Sequence, residues 1–99
     1  MSGLRVSCLA SGSSGNSLLL QWEGKAILID AGISARKLTT YLLERNVSPE
    51  NLLGIFVTHE HSDHISGIEL LAKRFDTPVL CTEETRKVLS WLIDGVEYE

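Results

Sequence analysis

Residues Thr58-His59-Glu60-His61-Ser62-Asp63-His64 hold all three histidines of this 99-residue chain, with an aspartate among them. Imidazole and carboxylate side chains at this density suit zinc, iron or manganese. In an extended segment alternate side chains point the same way. His59 and His61 can then converge on one metal, while Asp63 and His64, adjacent at the turn into a helix, can face a second. The carboxylate of Asp63 also suits the positive end of that helix. A polar loop carrying surface histidines is the plainer reading of the same letters.

Two familiar metal sites do not fit. The zincin pattern requires His-Glu-x-x-His, and the fourth residue after His59 is Asp63. Closed structural zinc sites lean on cysteine pairs, whereas Cys8 and Cys81 lie far apart in the sequence. Both thiols are expected to be buried and inert.

The segment reads His-x-His-x-Asp-His, with Gly67 three residues on. This resembles the signature of the metallo-β-lactamase fold, and Leu28-Ile29-Asp30-Ala31-Gly32 upstream strengthens the resemblance. Ser11-Gly12-Ser13-Ser14-Gly15-Asn16-Ser17 is similar to one branch, the single-domain hydrolases of the YycJ/WalJ type. The resemblance runs over nearly the whole sequence but over about the first half of such a domain. It implies the N-terminal half of an αββα sandwich, a mixed α/β sheet with helices on one face, as a single partial domain over residues 1–99.

The resemblance also implies a function. Two divalent metals (Zn, or Mn or Fe) would activate water for hydrolysis, with a phosphodiester as the first substrate choice, as in a nuclease. A thioester, a lactone or a β-lactam are the alternatives. His59 and His61 would hold the first metal, Asp63 and His64 the second, and Asp63 would also orient the water. Asp30 would sit beneath the metals and orient a ligand; a turn aspartate capping its loop is the other reading. Ser14 and Asn16 would lie by the substrate if the Gly/Ser loop is a backbone nest for an anion. The loop is equally explained as a flexible turn between strands. It is not a P-loop, since no lysine follows the glycines.

The family draws further ligands from later in its chain, and this sequence has no histidine after His64. Its sheet would also leave one face, with Leu19 and Ile27 or their neighbours, uncovered. A large apolar face implies a partner. A homo-oligomer or a C-terminal half outside this sequence is therefore expected, and an inactive interaction module is the rival to the enzyme.

Composition narrows the class. Hydrophobic content of 43% with 22% charged residues is that of a globular chain. No apolar run approaches a membrane span or a signal peptide, so a cytoplasmic protein with no membrane association is expected. The net charge of −4 gives no electrostatic footprint for nucleic acid, and the nine basic residues are scattered, which counts weakly against a nucleic-acid substrate unless a missing half carries the basic surface or metals supply local positive charge.

The elements that must carry these residues follow from periodicity. Strands are expected at residues 4–9, 17–22 and 25–30, the last two joined by a tight turn at Glu23-Gly24-Lys25. The uninterrupted run Ala26-Ile27-Leu28-Ile29 predicts burial on both faces. Ser34 is a good N-cap for a helix from Ala35 to about Arg45. A fourth strand from Leu52 should run to Thr58 and deliver the cluster. A helix from about Asp63 to Arg74 should leave it, with Ile65, Ile68, Leu71, Ala72 and Phe75 as its apolar stripe. Gly67 within it predicts close packing. A short strand at 79–81 and a helix from Glu83 to about Ile93, packed through Trp91 and Leu92 and closed by Gly95, complete the order.

Overall fold

The computed structural model describes residues 3–12, 15–58 and 67–92. Five strands, β1 (Arg5–Ala10), β2 (Ser17–Trp22), β3 (Lys25–Ile29), β4 (Leu52–Phe56) and β5 (Val79–Leu80), form one sheet in the order of the chain. The first three run antiparallel, and β3, β4 and β5 are parallel. The two parallel steps are made by α1 (Ala35–Glu44), a single 3-10 turn (Pro49–Asn51) and α2 (Ile68–Phe75). Helix α3 (Glu83–Leu92) follows β5. This is the mixed α/β sheet expected from the sequence.

Local chemistry explains the boundaries. Glu23 and Gly24 both have positive φ, at 49° and 77°, the pattern of a type I′ turn that matches strand twist. Helix α1 starts where the Ser34 hydroxyl accepts from the Lys37 N–H at 3.2 Å. Helix α2 stops at Asp76, whose left-handed φ of 53° closes it. Its expected start at Asp63 lies outside the described residues, as do Ile65 and Gly95 and the side chains of Trp91 and Leu92.

The helices cover one face of the sheet. Leu19, Leu28, Ile55 and Val79 face each other in register across β2 to β5 and are fully buried. Leu38 and Leu42 of α1, Ile68, Leu71 and Ala72 of α2, and Leu89 of α3 pack in the same core. Periodicity is obeyed over the described part of the stripe: Ile68, Leu71 and Ala72 are buried and Phe75 is half-buried.

The outer face departs from three expectations. Ile27 and Ile29 are only half-buried, so β3 is not enclosed on both sides. Leu19 belongs to the core, and its neighbours Leu18 and Leu20 point outward in its place. Cys8 is exposed rather than buried, and Cys81 is half-buried. The common cause is that the helices lie on one side only. Cys8, Leu18, Ile29, Phe56 and Leu80 therefore line up in register across the bare side. Phe56 is 44% exposed there. Among the described residues, no helix is long and apolar enough to cross a membrane.

Candidate metal centre

Strand β3 ends with a sharp change of direction. Asp30 adopts φ 64°, in the left-handed region that aspartate tolerates better than most residues. Its backbone N–H still donates to the Phe56 carbonyl at 2.7 Å, which continues the parallel ladder by one rung. The side chain then turns inward and is 5% exposed. Its Oδ1 accepts from the Thr58 backbone N–H at 2.8 Å, and its Oδ2 accepts from the Thr58 hydroxyl at 2.7 Å.

This clasp also decides where β4 stops. Val57 still donates to the Leu80 carbonyl at 2.8 Å. The next N–H, that of Thr58, points toward β3 and is taken by the Asp30 carboxylate instead of by a β3 carbonyl. The strand therefore ends at Phe56 rather than running to Thr58 as expected. A buried carboxylate needs partners, and here they come from the residue immediately before His59.

Two loops brace Asp30 from behind. The buried Ser17 hydroxyl donates to the Asp30 carbonyl at 2.7 Å. Gly32 N–H donates to the Asn16 carbonyl at 2.9 Å. The Asn16 side chain closes its own loop: Nδ2 donates to the Gly12 carbonyl at 2.9 Å, and Oδ1 accepts from the Gly12 N–H at 3.2 Å. The Gly/Ser loop is thus stapled to the turn after β3 rather than hanging free.

Gly67 completes the arrangement. Its N–H donates to the Ala31 carbonyl at 2.7 Å. A Cβ at this position would collide with the Ile33 carbonyl oxygen and stand 2.7 Å from Leu38 Cδ1. Only glycine lets the start of α2 lie so close to the 31–33 turn, as its place in the sequence predicted.

Of the residues singled out in the sequence, Asp30 and Asn16 are thus brought together around one turn. His59, His61, Asp63, His64 and Ser14 lie outside the described residues. The structure does describe both anchors of the ligand segment, Thr58 before it and Gly67 after it. Both dock on the 30–33 turn, Thr58 through Asp30 and Gly67 through the Ala31 carbonyl. Thr58 and Ser17 escaped sequence reading. Each is a hydroxyl residue at the border between a strand and the suspect loops, and that position was the available signal.

Comparison with known proteins places this geometry. Exodeoxyribonuclease WalJ of Streptococcus pneumoniae serotype 2 is 48% identical over 83 residues, which are 84% of this chain and 31% of that protein. Exodeoxyribonuclease YycJ of Bacillus anthracis is 40% identical over 94 residues, covering 95% of this chain and 36% of the relative. The chain thus spans about a third of the length of these curated relatives. Among solved structures, the subclass B3 metallo-beta-lactamase BJP-1 of Bradyrhizobium japonicum aligns with a TM-score of 0.75 at 16% identity, over 86% of this chain and 33% of that one. That likeness concerns the fold alone. The family model described as the metallo-beta-lactamase superfamily matches residues 10–98, from the end of β1 onward, and the chain belongs to that superfamily.

Proposed function

We propose that this chain carries the metal-binding segment of a metal-dependent hydrolase that cleaves phosphodiester bonds in DNA. The observation that supports it most is the clasp between Asp30 and Thr58, which fixes the backbone one residue before His59. Metal sites require such outer contacts to orient their ligands. The donor set His59, His61, Asp63 and His64 fits two divalent ions of the zinc, manganese or iron type. When bound, such ions supply Lewis acidity at the scissile group and lower the pKa of a water towards neutrality. The residues of this chain hold and aim: the imidazoles bind, Asp63 binds and orients the water, and Asp30 keeps Thr58 in place. Ser14 and Asn16 would border the substrate on the loop stapled to the same turn.

The choice of DNA rests on the exodeoxyribonuclease relatives; a thioester, a lactone or a β-lactam are the rival substrates. The exposed row through Leu18 and Phe56 supports a covering partner, either a second copy or a C-terminal half. An interaction module with no chemistry is the competing reading of that face.

The deciding experiment is elemental mass spectrometry on protein purified without added metal, beside the His61→Ala variant. About one or two metals per chain is the expected content of such a site, with most of it lost in the variant. Asp30→Asn should weaken metal binding by about 10- to 100-fold. Turnover of a labelled DNA strand is then compared with that of a thioester and a cephalosporin, with zinc or manganese added. No metal in the parent, with assembly untouched in His61→Ala, refutes the hydrolase and favours the module. Metal with turnover of the thioester or cephalosporin only refutes the choice of DNA.

A further inference from the structure

Helices α1 and α2 lie side by side on the sheet, and on their outer side they leave an open groove of about 380 Å³. The turns of each helix decide what lines it. Leu38 and Leu42 of α1 point into the core. Ala35 and Thr39 stand at the edge of that stripe that faces α2, with Arg36 and Thr40 beyond them. On α2, Leu71 and Phe75 lie at the base, and Leu70 and Arg74, one turn apart, form the opposite wall. Glu69 and Lys73 lie on the other flank of α2, where they pair with each other at 3.0 Å.

The groove is apolar where it meets water. Leu70 is 69% exposed, and Phe75 is half-buried. The threonines add little polarity, because their hydroxyl protons are already used. Thr39 Oγ1 donates to the Ala35 carbonyl at 2.8 Å, and Thr40 Oγ1 donates to the Arg36 carbonyl at 3.0 Å. A visitor meets methyl groups and hydroxyl lone pairs there.

The free donors of the groove are cationic. Over the whole sequence 13 acids outnumber 9 bases, yet the groove has Arg36 and Arg74 and no acid. Neither arginine forms an ion pair among the described residues. Arg74 lies 5.6 Å from the centroid of the Phe75 ring, which holds its guanidinium over the apolar base. Arg36 stands in the first turn of α1, a turn that contains no acid. Cations at a helix N-terminus oppose the macrodipole. Helix α2 obeys that rule, with Glu69 in its first turn and Lys73 and Arg74 in its last. Helix stability therefore gives no reason for Arg36, whereas a place on the wall of this groove does.

We propose that the groove docks an acidic amphipathic helix of a partner protein, with an apolar side chain between Leu70 and Phe75 and carboxylates on Arg36 and Arg74. This is the helix-in-groove mode of recognition. Charge selects the occupant. Two cations on opposite walls call for two carboxylates on one ligand. A helix with acids on both flanks of its apolar stripe supplies them, and a fatty acid does not. The inference stands apart from the metal centre and from the nuclease reading.

The test uses the whole chain and a fluorescein-labelled peptide of about 16 residues, with leucines at helical spacing flanked by glutamates. Anisotropy measures affinity, and two-dimensional amide NMR spectra locate the contact. Binding should move amides of α1 and α2 and weaken as salt rises. The double variant Arg36→Glu/Arg74→Glu should weaken it by at least about tenfold. The same variant should take up a peptide with lysines in place of the glutamates, which a misfolded chain would not do. Leu70→Ala should weaken binding about fivefold, and at 69% exposure its truncation leaves the fold intact. Lys37→Glu, on the other side of α1, should change little.

No movement of these amides at about millimolar peptide overturns the proposal. So does a loss in Lys37→Glu equal to that in the double variant, which would mean bulk charge alone. Dodecanoate that binds the groove while the peptide does not makes the occupant a small amphiphile. Phosphatidylglycerol vesicles that do so make it a lipid surface. Either result overturns the partner helix.

Discussion

Replacing Asp30 with alanine removes two hydrogen bonds at once, both accepted by a carboxylate that is itself buried. The carboxylate is 5% exposed and accepts from both the N–H and the hydroxyl of Thr58. A hydrogen bond to a carboxylate contributes about 1.5–3 kcal/mol, so the pair is worth about 3–6 kcal/mol. Alanine at a left-handed φ adds about 1–2 kcal/mol of strain. Relief from burying a carboxylate offsets part of this. The net expectation for Asp30→Ala is a loss of about 3–5 kcal/mol, a large share of the roughly 5–15 kcal/mol that holds a domain together.

Two companions sharpen that prediction. Asn tolerates the left-handed backbone, and its Oδ1 can still accept from the Thr58 N–H. Its amide then meets the Thr58 hydroxyl, which must turn round to accept, so Asp30→Asn should lose only about 1 kcal/mol. Thr58→Val deletes the hydroxyl bond alone and should lose about 1–3 kcal/mol. Urea unfolding followed by circular dichroism, fitted for midpoint and slope, measures all three. If Asp30→Ala lies within about 1 kcal/mol of the parent, the clasp does not hold the end of β4 and the reasoning fails. If Asn is as damaging as alanine, the division between backbone and hydroxyl bonds is wrong.

Two further outcomes are expected. Gly67→Ala should lower the melting temperature, because its methyl would meet the Ile33 carbonyl and Leu38 and because alanine is the poorer residue at this N-cap; a raised melting temperature would contradict the close approach. Burial pushes the Cys81 thiol up, with Arg86 partly opposing. The thiolate is the reactive form, so Cys81 should ionise, and label, at higher pH than an ordinary thiol. The same shift makes a stabilising contribution that is complete below the ordinary thiol pKa and fades as pH rises through the raised one. Exposed Cys8 should label first, and peptide mass spectrometry after timed alkylation across pH would refute this if Cys81 reacted as fast at neutral pH.

What the sequence disclosed and what it hid have physical reasons. The Glu23-Gly24 hairpin and the Ser34 cap were legible because a turn and a helix start are decided by a few adjacent residues. The stripe Ile68, Leu71, Ala72 was legible because a helix repeats its face every turn. The faces of β2 and β3 were not. Leu18-Leu19-Leu20 and Ala26-Ile27-Leu28-Ile29 do not alternate, so pattern alone could not say which leucine looks at the helices. Cys8 was misjudged because its strand has a register shift between Cys8 and Ala10 and lies against the bare side of the sheet. Of the candidate site, Asp30 was visible as a carboxylate after an apolar strand. Its partner was not, because Thr58 lies 28 residues away and only the parallel pairing of β3 with β4 brings the two together.

The strand order carries a kinetic consequence. Because the sheet is laid down in chain order, each strand finds its neighbour already synthesised. The β2–β3 hairpin can close on a timescale of about 1–10 μs. At roughly 5–20 residues per second, a ribosome needs on the order of seconds to deliver Thr58 after Asp30. The carboxylate must therefore wait in water for its partner, and the clasp is a late, long-range closure. Its loss should show on the unfolding arm of a chevron plot and leave the refolding rate nearly unchanged. The bond that sets the ligand segment would then form after the β1–β3 meander, so that the nascent chain has those three strands in place before it can hold a metal.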